Sequence, residues 1–220
     1  MSEKRARSTR QLLNYWRSSS SWRVRLALSF KGLEYEYKPI NLLKGEEGTP
    51  EYFAMNPAGV PTFIDDNGDI VTQSMAIMEY LEEKYPERPL LPRGFHERSQ
   101  VRSIALQIVS GVQPLQNLAV LNKVAASFGG EAAKTRWAKE VIEEGMHGVD
   151  VTLQRTAGTH CFGDSFTMAD CCLIPQAYAC RRFGVDLSQF PAVHRVLATL
   201  EASDLCRATH PDAMPDAVKA

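Results

Sequence analysis

The hydrophobic pattern of this chain changes its period once, near residue 92, and this change divides the sequence into two parts. Residues 11–92 alternate short strand-like and helical stretches, whereas residues 94–201 keep an almost unbroken helical period. Between the two parts, residues 86–92 contain three prolines, which is typical of a linker. We therefore expect an α/β domain over residues 11–92 and an all-α domain over residues 94–212.

The first part has the element order β-α-β-α-β-β-α, which predicts a small thioredoxin-like domain. Gly32 after Lys31 is typical of a helix C-terminus, and Asp66-Asn67-Gly68 is a strong hairpin signal. The predicted strands lie near residues 11–16, 34–40, 62–65 and 69–72, and the predicted helices near residues 21–31, 50–55 and 74–85. We expect the helix at 21–31 to be amphipathic.

The second part predicts long amphipathic helices near residues 96–127, 131–155, 167–183 and 191–202. Gly111 and Pro114 should kink the first of them. Thr167 and Asp170 have the spacing of a capping box, which is a structural signal and not a catalytic one. We expect a stripe of leucines on the first helix to lie in the core; it consists of Leu115, Leu118 and Leu121.

Composition excludes several classes of protein. The 220 residues carry a net charge of -1, which gives no electrostatic reason to expect nucleic acid or an anionic membrane as partner. No apolar run reaches the ~18 residues of a membrane span. The five cysteines form no CxxC pair, so we expect buried thiols and a cytoplasmic location. The five histidines show no ligand spacing, so we expect no metal, and we take the basic residues 1–10 as a frayed tail.

Four hydroxyl residues, Ser18 to Ser21, stand immediately before a predicted helix. A serine there can cap the helix, and the amides of the first turn together with the helix dipole form a site for an anion. A thiolate is such an anion, and a site of this kind lowers a thiol pKa from about 8.5. The alternative is a serine-rich helix cap with no further role.

Several motifs resemble one known family. SSSSWRVRLAL (18–28) is similar to the SSCSWRVRIAL signature of the zeta class of cytosolic glutathione transferases, whose members are known as maleylacetoacetate isomerases. Further stretches support the resemblance over residues 11–211: PINLLKG (39–45), NPAGVPTF (56–63), QSMAIMEYLEE (73–83), GVQPLQNLAVL (111–121) and TMADCCLIPQ (167–176). The resemblance implies a thioredoxin-like domain followed by an all-helical domain, glutathione as cofactor and a homodimer.

The resemblance places the sulfur of glutathione at the serine run. It implies that Ser18 and Ser19 hold the thiolate, and we favour Ser19 as the main partner because a hydroxyl hydrogen bond favours the charged form. Ser20 stands where the family has a cysteine, which puts cysteine-dependent side chemistry in doubt. Tyr15 is a rival thiolate partner, although we expect it to pack in the core.

The remaining contacts to glutathione also follow from the resemblance. Ser74 begins a helix and suits the γ-glutamyl carboxylate, with Gln73 as a second donor. A cis Val60-Pro61 bond would leave the Val60 backbone available to the cysteinyl part of glutathione. Arg23 and Gln113 are further candidate contacts to glutathione. Arg23 could instead face the dimer interface, and Gln113 could instead reach the glutathione bound to the partner subunit. The alternative for Gln73 and Ser74 is an ordinary helix start.

The implied reaction is the cis–trans isomerisation of maleylacetoacetate to fumarylacetoacetate in phenylalanine and tyrosine breakdown, with transferase activity on small α-halo acids. Because the substrate is a dicarboxylate, Arg17 and Arg182 are candidate carboxylate ligands, although both could equally be solvated surface arginines. Near the kink, Asn117, Leu118 and Ala119 are candidate substrate contacts. Two alternatives remain open: general glutathione conjugation or peroxidase activity on another substrate, and a non-catalytic interaction module.

Overall fold

The computed structural model describes residues 9–218, and the chain forms two compact units. One unit is the chain up to Pro89 together with the segment from Arg207 onward, and the other is Leu90–Cys206. The C-terminal segment thus belongs to the first unit, whereas the sequence placed residues up to 212 in the helical domain. Residues 1–8 of the predicted frayed tail lie outside the described residues. At Arg10 the prediction is wrong, because its guanidinium forms ion pairs with Asp65 and Asp66, each at 3.0 Å.

The first unit is built on a four-stranded mixed sheet of order β2-β1-β3-β4. Strand β1 pairs with β2 in parallel and with β3 antiparallel, and β3 and β4 form the predicted antiparallel hairpin. The thioredoxin-like element order is confirmed. In chain order the elements are β1 (Gln11–Asn14), α1 (Ser19–Lys31), β2 (Glu36–Pro39), α2 (Pro50–Met55), β3 (Thr62–Ile64), β4 (Ile70–Thr72) and α3 (Ser74–Lys84).

Helix α1 is buried on every side, so the prediction of an amphipathic helix is wrong. All residues from Ser21 to Leu28 are buried, including the guanidinium groups of Arg23 and Arg25. A buried charge is tolerated only when hydrogen bonds replace its hydration, and both arginines donate to protein oxygens. The helix ends as predicted, with Gly32 at φ 70° as a left-handed C-cap.

The second unit is helical, but the long helix predicted over 96–127 is not continuous. Helix α4 passes into a π-helical stretch (Gln107–Val112) and a 3-10 turn (Gln113–Gln116), and Asn117 is extended at ψ 146° before α5 begins. The chain bends by 41° at this break. The helices are α4 (Phe95–Leu106), α5 (Leu118–Phe128), α6 (Gly130–Thr156), α7 (Met168–Arg182), α8 (Pro191–Glu201) and α9 (Asp204–Thr209), the last crossing into the first unit.

For this unit, the prediction of a buried leucine stripe is wrong at two of its three positions, whereas the prediction of a capping box is confirmed. Only Leu121 is buried, while Leu115 and Leu118 are 40% and 45% exposed, because the 3-10 turn and the extended Asn117 interrupt the helical period on which the stripe depended. The capping box is confirmed: the carboxylate of Asp170 accepts hydrogen bonds from the amide and the hydroxyl of Thr167, at 2.7 and 2.8 Å.

None of the helices within residues 9–218 is by itself long and apolar enough to span a membrane. The pair Phe95–Gln116 and Leu118–Phe128, on either side of the 41° bend, passes that test jointly on length and composition alone.

Candidate functional site

Three loop segments of the first unit meet at one end of its sheet. In the ladder, Leu13 of β1 faces Thr62 of β3, and Thr62 faces Thr72 of β4. Because β3 runs antiparallel to both neighbours, the C-terminal ends of β1 and β4 lie beside the N-terminal end of β3. The segments that leave the sheet there are residues 15–18, 60–61 and 73–74.

The serine turn, residues Ser18 to Ser21, opens helix α1. The Ser18 hydroxyl oxygen accepts a hydrogen bond from the Ser21 amide at 3.2 Å, and its carbonyl accepts one from Trp22 at 2.9 Å. Ser18 is therefore the N-cap, as predicted. Within residues 9–218, the amides of Ser19 and Ser20 have no acceptor, and both side chains are partly exposed. The turn therefore presents two backbone donors at the positive end of a 13-residue helix.

The second segment contains the Val60-Pro61 peptide bond, which is cis as expected. Its loop is fixed by Asn56, a buried side chain whose amide nitrogen donates to the carbonyls of Gly59 and Pro61 and to the hydroxyl of Thr62. Val60 itself makes no backbone hydrogen bond to any other described residue. Its amide and carbonyl are thus open to an extended peptide.

The third segment joins β4 to α3 through Gln73, whose φ of 69° lies in the left-handed region. For a side chain other than glycine this conformation costs about 1–3 kcal/mol, and such strain concentrates at ligand sites. Gln73 is exposed and makes no cap hydrogen bond. Ser74 follows as the first residue of α3, is 4% exposed, and accepts a hydrogen bond from Nη1 of buried Arg23 at 3.2 Å.

The loop between β1 and α1 carries three side chains that bear on the predictions. Tyr15 is buried, as expected, and its hydroxyl has no partner among residues 9–218. Arg17 is half-buried, with its guanidinium 5.2 Å from the ring centre of Trp16. This stacking leaves the guanidinium donors of Arg17 available to a ligand.

The candidate residues of the second unit cluster at the break before α5. Gln113 donates a hydrogen bond to Asn117, and Leu118 and Ala119 are exposed in the first turn of α5. Arg182 is exposed at the end of α7, with its guanidinium 5.1 Å from the ring centre of Phe183. Across residues 9–218 no group of three or more His, Cys, Asp or Glu side chains is arranged to hold a metal ion.

Two side chains that hold the β1–α1 loop, Arg25 and Asp216, were not predicted from the sequence. The buried guanidinium of Arg25 donates to the carbonyl of Trp16 at 2.9 Å, and the carboxylate of Asp216 accepts from the amide of Trp16 at 3.2 Å. Burial lowers the pKa of Arg25 to about 10, so the group still carries its charge at neutral pH. The only sequence signal was a second arginine in an otherwise apolar stretch.

Residues 8–83 match the family model described as "Glutathione S-transferase, N-terminal domain". The chain is 46% identical over 207 residues to a Drosophila melanogaster protein named "Probable maleylacetoacetate isomerase 2", covering 93% of this chain and 89% of that protein. It is 42% identical over 207 residues to "Glutathione S-transferase zeta class" of Euphorbia esula, covering 94% and 92%. The chain belongs to the zeta class of the glutathione transferases.

Two solved structures of one protein, the maleylacetoacetate isomerase of Anaeromyxobacter dehalogenans 2CP-1, resemble this chain. One has bound glutathione in the active site, with a TM-score of 0.87, 42% identity and coverage of 96% of this chain and 98% of that chain. The other holds dicarboxyethyl glutathione and citrate, with a TM-score of 0.86, 40% identity and the same coverage. The zeta-class assignment and the fold predicted from the motifs are thereby confirmed.

Proposed function

We propose that this chain is a glutathione-dependent isomerase that converts maleylacetoacetate to fumarylacetoacetate. The observation that carries the proposal is the pair of helix N-termini at one end of the sheet. Helix α1 presents the unbonded amides of Ser19 and Ser20, and α3 presents Ser74. One terminus suits a thiolate and the other a carboxylate.

Glutathione fits the residues of this end of the sheet. The tripeptide has a carboxylate at one end, peptide groups in the middle and a thiol, and the three segments offer a partner for each. Gln73 and Ser74 would hold the γ-glutamyl carboxylate, and the unpaired backbone of Val60 would align the cysteinyl part. The strained backbone of Gln73 is consistent with a ligand site.

When bound, glutathione supplies a thiolate whose reversible addition makes the cis double bond of the substrate a rotatable single bond. The work of the protein is to hold that sulfur as an anion. Ser19 is the favoured donor, because its hydroxyl makes no hydrogen bond within residues 9–218 and can turn toward the sulfur. The Ser18 hydroxyl oxygen accepts from the Ser21 amide and keeps its proton, so Ser18 is the second donor. The positive end of α1 adds to this stabilisation. Ser20 completes the turn in place of the family cysteine.

The substrate is a dicarboxylate, and two arginines are proposed as its ligands. Arg17 lies in the loop that leads to the serine turn, and Arg182 ends α7; each guanidinium lies against a neighbouring aromatic ring. The Anaeromyxobacter dehalogenans structure that holds dicarboxyethyl glutathione and citrate supports a site for carboxylate ligands. Arg23 and Gln113 are proposed as further contacts to glutathione, and Asn117, Leu118 and Ala119 as contacts to the substrate.

The deciding experiment measures isomerisation of maleylacetone, a stable analogue of the substrate, with and without glutathione. We expect turnover that depends on glutathione. The turnover rate should fall in Ser19→Ala, and the KM for maleylacetone should rise in Arg17→Ala. Glutathione binding without isomerisation would contradict the proposal and favour conjugation or peroxidase activity on another substrate. Absence of both would favour a non-catalytic interaction module.

Three accompanying properties are part of the proposal. The same thiolate displaces halide from small α-halo acids, forming a carbon–sulfur bond, which halide release would measure. The chain acts as a homodimer, which sedimentation would measure. It resides in the cytoplasm, where its five buried free cysteines would stay reduced.

A further inference from the structure

The guanidinium group of Arg25 binds the loop that leads to the serine turn. The group is fully buried and donates to the side-chain oxygen of Asn14 at 3.0 Å, to the carbonyl of Trp16 at 2.9 Å, and to the carbonyl of Thr209 at 3.2 Å. A longer contact of 3.5 Å reaches the carbonyl of Tyr15. Two successive carbonyls of the loop therefore point at one planar cation, which fixes the path of the backbone.

Asp216 holds the same loop through its amide. One carboxylate oxygen accepts from the Trp16 amide at 3.2 Å, and the other accepts from the Tyr37 hydroxyl at 2.5 Å. The pKa of Tyr37 is strongly raised, first by burial and then by this hydrogen bond, so the tyrosine remains the donor. The amide and the carbonyl of Trp16 are thus held by an anion and a cation, respectively.

The segment that carries Asp216 is itself anchored on α1. The indole nitrogen of Trp22 donates to the Thr209 hydroxyl at 2.9 Å, and its ring meets His210 edge-on at a centroid distance of 5.2 Å. Residues 207–218 are thus bound to the first two turns of the helix that opens at the serine turn. We name this stretch the C-terminal strap.

We propose that Arg25 and the C-terminal strap, through Asp216, are positioning elements that hold the serine turn in the geometry that stabilises the glutathione thiolate. Ser18 lies two residues after Trp16, and its amide donates a hydrogen bond to the Tyr15 carbonyl at 3.0 Å. A movement of the loop would therefore displace Ser18, the N-cap of α1. Donors must be held within a few tenths of an ångström to stabilise an anion in full. This inference rests on the proposed glutathione site.

Positioning and simple charge effects predict opposite results for Asp216→Leu. The substitution keeps roughly the size of the side chain and removes both acceptors, whereas an Asn could keep both contacts, since its NH2 group can donate to the Tyr37 oxygen. Loss of the Trp16 bond loosens the turn and raises the pKa of the bound thiol. Loss of a negative charge near the turn, acting alone, would lower that pKa. The sign of the change therefore separates the two causes.

Arg25→Lys is the second test, because it keeps the positive charge and removes the planar fork. Positioning predicts a raised thiol pKa, whereas charge alone predicts no change. The charged groups that face Arg25 are Asp216 and, if ionised, Tyr35 and Tyr37, and all remain in this variant. If Arg25→Lys does not fold, Asp216→Leu carries the test by itself.

The experiment uses the full chain, with two readouts. Amide hydrogen exchange reports the Trp16 amide before glutathione is added, and ultraviolet thiolate absorbance against pH reports the bound thiol. We expect faster exchange in both variants and at least about threefold less thiolate at a fixed pH below the thiol pKa. Glu82→Gln and Arg88→Lys are matched controls, because Glu82 pairs with buried Lys31 and Arg88 bonds the Phe30 carbonyl, both outside the turn.

The outcomes are distinct. Unchanged Trp16 exchange, an unchanged or lowered thiol pKa in Asp216→Leu, or equal effects in the controls would overturn the positioning role. If the wild type binds no glutathione, the proposed function fails, while the exchange readout still reports whether Arg25 and Asp216 hold the turn.

Discussion

Nη1 of Arg23 donates a hydrogen bond to the hydroxyl oxygen of Ser74 across 3.2 Å, which joins the interior of α1 to the first residue of α3. Because that oxygen already accepts from a cation, the hydroxyl proton is directed elsewhere. Ser74 is therefore prepared as a donor, which suits it to the γ-glutamyl carboxylate and not to a cation.

Ser74→Ala should weaken glutathione binding about 10- to 100-fold, since a hydrogen bond to a charged group contributes about 1.5–3 kcal/mol. The pKa of the bound thiol should stay the same, because the sulfur is held at the other helix N-terminus. Isothermal titration measures the first quantity and thiolate absorbance the second. Ser99→Ala, an exposed serine that bonds the His96 carbonyl, is the control. Equal affinity in Ser74→Ala would place the carboxylate elsewhere.

Ser18 and Ser19 can be separated because only Ser18 caps the helix. Ser18→Ala should lower the free energy of unfolding by about 1 kcal/mol through loss of the N-cap. Ser19→Ala should leave stability nearly unchanged and raise the pKa of bound glutathione toward its free value. Urea unfolding and thiolate titration check the two effects. A raised thiol pKa in Ser18→Ala with none in Ser19→Ala would make Ser18 the thiolate partner.

Sequence patterns predicted local features of this fold well because the responsible residues act on their own backbone. Gly32 ends α1, the Asp66-Asn67-Gly68 turn joins β3 to β4, and the Thr167–Asp170 box opens α7. Each needs only neighbours within a few residues.

What sequence could not predict depends on distant partners. Thr209 and Asp216 lie more than 180 residues along the chain from the residues of α1 and its loop that they bond, so no pattern reveals that they hold this helix and loop. The apolar period near the predicted kink gave no sign that Asn117 breaks the helix and exposes Leu118. Burial of Arg25 was hidden because its four acceptors all lie outside its own helix: three precede the helix in residues 14–16, and the fourth is the Thr209 carbonyl.

Ser20 gives a prediction about thiol chemistry. All five cysteines are buried and free, and burial raises the pKa of Cys180 to about 12 and that of Cys161 well above its ordinary value. The native protein should therefore resist thiol-alkylating reagents.

Ser20→Cys should create one fast-reacting thiol, because position 20 lies partly exposed in the first turn of α1, where the helix dipole favours a thiolate. The measurement is the rate of alkylation with and without saturating glutathione, which should protect the new thiol. Ser127→Cys, an exposed position in the last turn of α5 and so away from a helix N-terminus, is the comparison. Equal rates for the two variants would argue against an anion-stabilising turn.

Asp65 is the centre of an ionic cluster at the β3–β4 hairpin. Its fully buried carboxylate accepts from Lys84 at 2.6 Å, from Tyr85 at 2.7 Å, from Tyr80 at 2.8 Å and from Arg10 at 3.0 Å. Burial alone would raise its pKa, but the hydrogen bonds from Lys84, Tyr85 and Tyr80, together with one from the Asp66 amide, outweigh burial and lower the pKa to about 2 from its ordinary 3.8.

This lowered pKa makes the stability of the first unit depend on pH in the acidic range. Because the folded pKa lies below the unfolded one, the stabilisation of about 2 kcal/mol is complete above about pH 4 and disappears as the pH falls toward 2. Asp65→Asn should lower the free energy of unfolding at neutral pH, and its difference from the wild type should shrink in acid. Urea unfolding at several pH values checks this. Asp186→Asn, an exposed carboxylate, should show a much smaller difference, and a pH-independent loss in Asp65→Asn would mean that packing, and not charge, makes Asp65 important.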